Sequence, residues 1–178
     1  MKWAAPAGGG GGAAWRFYDF PASSFDYPAS NPAPLDTHNG ANGTIKRHLF
    51  DDSTAESIIT QIKLPSDLNT AGTVYFEVYG YAVTAAANKS VVWKLYHSAK
   101  TAGENWDAAY SSEGSGAKSC DSTQDQLDHH SWNQTVATLG WAVDDFVRIK
   151  LERDAADGSD DLVGDYGMIL FRLKIPRA

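Results

Sequence analysis

The densest run of reactive side chains is CDSTQDQLDHH, which holds Cys120, Asp121, Asp125, Asp128, His129 and His130. Zinc would need two or more of the thiol and imidazole groups to converge on one point. Successive side chains of an extended segment alternate faces, so adjacent histidines rarely reach the same ion. A polar surface loop is the commoner fate of such a run. A second candidate is RDAADGSDD, with Asp154, Asp157, Asp160 and Asp161 around the turn-forming Gly158. Calcium binds several oxygens from a tight loop of this kind, but the spacing departs from the alternating carboxylates of an EF-hand. A solvated strand connection is favoured, and no metal or other cofactor is expected.

Catalytic signatures are missing. There is no G-x-S-x-G, and Ser115 in GSG reads as an ordinary loop serine. Cys120 with either histidine lacks a third, orienting group. Glu77 lies between Tyr75 and Tyr79 on one strand face, but glycoside hydrolysis needs a second carboxylate, and none can be named. The expectation is a non-enzyme.

Aromatic residues carry more weight. Tyr75, Tyr79 and Tyr81 share one strand face, while Trp106, Trp132 and Trp141 fall near loop or strand ends. Planar rings there would form a surface for sugars or a protein partner, unless a second sheet, a loop or the N-terminal segment covers them. Two basic pairs, Arg148 with Lys150 and Arg172 with Lys174, would join into a positive stripe if their strands were neighbours.

The elements that must hold these residues are strands. Ile58, Thr60, Ile62 and Leu64 share one face of an alternating segment, as do Val74, Phe76 and Val78. So do Val91, Trp93 and Leu95, then Val147, Ile149 and Leu151, and finally Ile169, Phe171 and Leu173. A period of two marks half-buried strands. Shorter strands are expected at 46–50, 106–110 and 132–139, about eight in all. No segment keeps a helical period, and the best candidate, STQDQLDHHSW, lacks an apolar stripe. Antiparallel strands with long loops predict an all-β, two-sheet sandwich, most simply a jelly roll, with a barrel as the alternative.

Composition bounds the rest. The 178 residues are 43% hydrophobic and 12% aromatic, enough for one core. A net charge of −7 argues against nucleic-acid binding. The lone cysteine allows no intramolecular disulfide. Apolar runs are strand-length, so no membrane span is expected, and the N-terminus does not read as a signal peptide. Residues 1–43 read as an extended Gly-, Pro- and aromatic-rich arm, and 44–178 as the sandwich. Within the arm, Gly8, Gly9, Gly10, Gly11 and Gly12 lie between Trp3 and Trp15. Polyglycine has no side chain to pack and loses the most entropy on ordering. The two tryptophans would therefore anchor it as a docking arm against a neighbouring subunit.

A family resemblance rests on two stretches. QIKLPSDLNTAGTVYFEVYGYAVTAAANKSVVWKLYH resembles a module of tailed-phage virion proteins: a strand ending in Leu-Pro, an Asp-containing turn, an aromatic-rich strand and a V-x-W strand. GWAVDDFVRIKLERDAADGSDDLVGDYGMILFRLKI is similar too, with an Arg-Asp strand end, an acidic loop and a Gly-Asp before the last strand. The resemblance implies a jelly-roll-like virion accessory domain: a capsid decoration, head fibre or tail appendage. It implies a chain made in the host cytoplasm that resides in the virion beside other virion proteins and copies of itself, a trimer being the simplest symmetry. A carbohydrate-binding module or receptor-binding tip, using the exposed tyrosines and tryptophans on a cell-surface glycan, is the alternative.

Overall fold

An apolar side chain at every second position gives an extended segment one face that water disfavours. Packing two such faces together removes both from solvent. The computed structural model, which describes residues 14–178, has this form. Its strands are β1 Trp15–Pro21, β2 Leu35–Gly40, β3 Gly43–Phe50, β4 Glu56–Lys63, β5 Thr73–Ala82, β6 Ser90–Lys100, β7 Ser111–Ser119, β8 Asp128–Thr135, β9 Phe146–Arg153 and β10 Tyr166–Pro176. One sheet runs β2–β3–β10–β5–β8, with β1 also on β10, and the other runs β4–β9–β6–β7. Every pairing is antiparallel. The two sheets each keep free edges, so the barrel alternative does not hold.

The alternation reads the core well. Ile58, Ile62, Val74, Phe76, Val78, Val91, Trp93, Leu95, Val147, Ile149 and Leu151 are all buried between the sheets. Phe50 and Tyr166 meet the Trp93 ring edge-on at 5.2 and 5.4 Å. A shift of register between Met168 and Leu170 changes the phase of β10. Met168 and Phe171 are therefore both buried, while Ile169 is only half-buried. The same strand changes partner there: β3 pairs with Tyr166–Met168 and β1 with Leu170–Pro176.

Several expectations are corrected. The arm boundary at residue 43 falls inside the β2–β3 hairpin, because β1 and β2 are strands of the six-stranded sheet. Residues 15–43 therefore belong to the sandwich. Trp3 and Gly8 to Gly12 lie outside the described residues. The expected strand at 106–110 is a loop, and the true edge strand is β7, whose residues SSEGSGAKS carry no apolar alternation. STQDQLDHHSW is a turn leading into β8, and the α-helix is a single turn, Val136–Leu139, capped by the Thr135 hydroxyl. The basic pairs do not form one stripe. Arg148 and Lys150 belong to the four-stranded sheet, and Arg172 and Lys174 to the other. Among the described residues, no helix is long and apolar enough to cross a membrane.

Candidate functional site

The acidic loop already holds a cation, and it is the chain's own. Arg153 is fully buried, and its guanidinium donates to both Asp160 carboxylate oxygens at 3.1 and 2.8 Å. It also donates to the carbonyls of Phe50 (3.1 Å), Gly164 (3.0 Å) and Leu162 (2.7 Å). All five guanidinium N–H groups are thereby used. Asp161 accepts from the Ser90 amide at 2.7 Å, Asp157 from the Ser159 amide at 2.8 Å, and Asp154 pairs with Lys94. The four carboxylates are engaged at separate points and form no cage for an ion.

The sulfur–imidazole run behaves differently. His129 and His130 point to opposite faces, as extended geometry demands. His129 is exposed, whereas Cys120, Asp128 and His130 are buried with ligand atoms all within 4.8 Å of one another. Trp93 Nε1 donates to His130 Nδ1 at 3.1 Å, so the imidazole proton sits on Nε2, which faces the Ser119 carbonyl at 3.2 Å. A metal bound at Nε2 would need a lone pair there, with Nδ1–H turned against the indole N–H, so the donor set does not fit a zinc centre. Burial pushes the Cys120 thiol up to about 12, raises Asp128 to about 6 and lowers His130 to about 4. At neutral pH the thiol and the His130 imidazole are thus held in their neutral forms, and the thiol is a poor nucleophile. Asp121 and Asp125 lie on the exposed turn. Ser115 is spent in β7, where its hydroxyl accepts from the Trp93 amide at 2.9 Å.

The aromatic candidates separate into three fates. Trp132 and Trp141 are 6% and 3% exposed and pack against Phe76 in the core, so they offer no face to a ligand. Tyr81 is 6% exposed beneath Arg47, which donates to its hydroxyl at 3.0 Å. Tyr75 and Tyr79 stand on the outer face of the six-stranded sheet, but their rings are occupied. Lys174 sits over both Trp15 (4.6 Å) and Tyr75 (5.0 Å). Arg172 lies between Phe17 and Tyr79 and is held by Asp19. Tyr79 stacks on His129 at 4.5 Å and donates to Glu77 at 3.0 Å. This face is a lattice of cations and rings that satisfy one another.

Trp106 borders a cavity. At one end of the four-stranded sheet, Lys63, Phe146 and Lys100 are register partners across β4, β9 and β6. Their side chains therefore form a row on the outer face. The loop after β6 turns at Gly103, whose φ of +97° glycine adopts without strain. The Glu104 carboxylate closes that turn by accepting from the Thr101 amide (2.7 Å) and hydroxyl (3.2 Å). The loop then folds back so that the Trp106 ring meets Phe146 edge-on at 5.7 Å. Arg148, next on that face of β9, holds it there. Its guanidinium lies 5.1 Å from the Trp106 ring and 5.0 Å from Tyr110, and it donates to the Ala108 carbonyl at 3.1 Å. Behind the row, Lys63 pairs with Asp144 at 3.0 Å. The result is an open cleft of about 570 Å³, with Trp106 39% and Phe146 44% exposed at its wall. The sequence signalled Trp106 but not Phe146, which sits at the strand's first position where either face was open to it.

No family model matches the sequence, and no curated protein sequence matches it. Solved structures do. A CBM35 carbohydrate-binding module from Cellvibrio japonicus Abf62 aligns with a TM-score of 0.54 at 8% identity, over 89% of this chain and 92% of that one. The fold is shared. The xylan-binding module CBM15 aligns at a TM-score of 0.50 and 12% identity, over 92% and 97% of the two chains. The CBM22-1 xylan-binding domain of Paenibacillus barcinonensis Xyn10C aligns at 0.50 and 8%, over 94% and 99%. At this identity the likeness establishes the jelly-roll sandwich and leaves the ligand to the chain's own residues.

Proposed function

We propose that the chain is a non-catalytic glycan-recognition module that binds through the Trp106–Phe146 cleft. The observation that carries this reading is the exposed pair of orthogonal rings beside a cavity with lysines and carboxylates at its rim. A pyranose presents C–H groups on its faces and hydroxyls at its edge, so rings flanked by donors and acceptors suit it. The Arg148 clamp fixes the Trp106 loop before any ligand arrives, which reduces the ordering entropy of binding. The xylan- and carbohydrate-binding neighbours of the same fold support the reading. A non-enzymatic role is supported by the buried, protonated Cys120 and the committed Ser115 hydroxyl.

The test is titration of the full chain with xylan, other neutral polysaccharides and a panel of cell-surface glycans, followed by tryptophan fluorescence. Trp106 is the most exposed tryptophan of those in the sandwich loops, so binding in the cleft should change emission in step with saturation. A panel that produces neither retention nor a fluorescence change would remove the proposal. A glycan-binding sandwich also suits the virion accessory role that the sequence resemblance implies, at the outer end of a particle appendage. That setting and its partner copies rest on the resemblance, and the docking arm rests on the polyglycine run between Trp3 and Trp15.

A further inference from the structure

The charges around the cleft are unequally committed, and the imbalance names a ligand class. Glu104 accepts from the Thr101 amide and hydroxyl, and those bonds, with a smaller contribution from the nearby Lys100 ammonium, hold its carboxyl below the usual range. Asp144 is spent on Lys63 at 3.0 Å. Asp145, the next residue, is buried and accepts from the Ala142 amide at 2.9 Å. Asp107 lies 3.9 Å from Arg148. Lys100, beside Phe146 in the row, has no ion-pair or hydrogen-bond partner among the described residues, yet lines the cleft. In a chain of net charge −7, an ammonium that feels Glu104 only at a distance and has no hydrogen-bond or ion-pair partner among the described residues, beside an exposed aromatic ring, is a local exception.

We infer that the cleft selects an anionic glycan, a sugar bearing a carboxylate or a sulfate, with Lys100 as the specificity-determining cation. This rests on the glycan reading of the same cleft. A neutral sugar stacked on Phe146 offers the Lys100 ammonium only hydroxyl acceptors, which leave its charge without a counter-charge. An anionic substituent at the sugar's edge supplies the missing partner as a charge-assisted hydrogen bond. Lysine suits this task because its flexible stem and three donors can follow either anion's geometry. Lys63, already paired, orients Asp144 and closes the back of the row. Its Coulomb field adds to that of Lys100 but is offset by the carboxylate it holds.

The experiment compares three oligosaccharides of equal length: a neutral hexose oligomer, its C6-oxidised uronate counterpart and its C6-sulfate ester. Each is titrated by calorimetry into the full chain, at low and at high salt, and into Lys100→Gln and Lys100→Arg variants. The wild-type chain should bind at least one charged oligomer about tenfold more tightly than the neutral one, as a charge-assisted bond warrants. High salt should shrink that ratio. In Lys100→Gln the anionic-to-neutral ratio should fall to about one, and Lys100→Arg should restore it in part. Preference for either charged arm supports the inference and identifies the anion. Equal affinity for neutral and charged oligomers, or a preference that survives Lys100→Gln, overturns it. A chain that binds none of the three overturns the glycan reading as well, which separates that failure from a failure of charge selection alone.

Discussion

Arg153 places a full positive charge inside the sandwich, and the structure shows why this is tolerated. Every donor of the guanidinium has an acceptor, and Asp160 gives it a bidentate partner. Removing one member of such a pair leaves the other charge buried and alone, at a cost of about 3–5 kcal/mol. Asp160→Ala is therefore expected to lower unfolding free energy by that amount in a denaturant titration. Added calcium should leave the melting temperature of the wild-type chain unmoved. His97 offers a second test at this scale. It is buried, accepts from Trp141 Nε1 at 3.3 Å, and burial holds its pKa below the ordinary imidazole value. The unfolded chain then binds the proton more readily, so the stability this group contributes is present above about pH 6.5 and is lost as pH falls below it. Melting temperature should decline between pH 7 and pH 5, and His97→Phe should flatten the decline. A slope unchanged in that variant would assign it to other groups. The sequence named the right polar residues here but not their fates. It showed Asp160 as one of four loop aspartates; the phase of β9 puts Arg153 on the buried face with Val147, Ile149 and Leu151, but nothing local says which aspartate meets it there.

At the scale of elements, alternation carried the reading wherever the strands were apolar on one face. β4, β5, β6 and β9 were legible in phase because each presents a buried row and a wetter one. β7 was not, because an edge strand of serine, glycine and alanine buries too little to leave a hydrophobic pattern. The 106–110 loop was misread as a strand because its aromatic residues pack across a sheet face rather than within one. Close strand packing gives a further prediction. A Cβ at Gly80 would lie 2.5 Å from both the Gly167 carbonyl oxygen and the Tyr166 ring. Gly80→Ala should therefore destabilise the fold by about 1–3 kcal/mol or more, the usual cost of overpacking. A Gly80→Ala chain that melts like wild type would contradict the β5–β10 register. Arg148→Met tests the loop clamp: amide exchange in residues 105–110 should quicken and glycan affinity fall several-fold, while the core strands keep their protection.

For the whole molecule, the N-terminal segment is more integrated than its composition suggests. β1 pairs with β10 from Trp15 to Pro21, and Trp15 and Phe17 join the cation–ring lattice of the outer face. The sequence marked Trp15 as an anchor but not the surface it anchors to, which is the chain's own sheet. Particle incorporation or oligomer size of a chain lacking residues 1–13 reports on the docking-arm expectation. Deleting 1–21 should expose the edge of β10, lower the melting temperature and promote association. The candidate cleft was half legible: Trp106 stood out by type. Phe146, Arg148 and the lysine row are brought together only by the β4–β9–β6 register, which no single segment encodes. The most direct measurement on that cleft is calorimetric glycan binding to wild type, Trp106→Ala and Phe146→Ala, each first shown to melt normally. Wild type should bind saturably, and both variants should lose at least tenfold in affinity. Undiminished binding in both, or none in wild type across the glycan panel, would contradict glycan binding in the cleft.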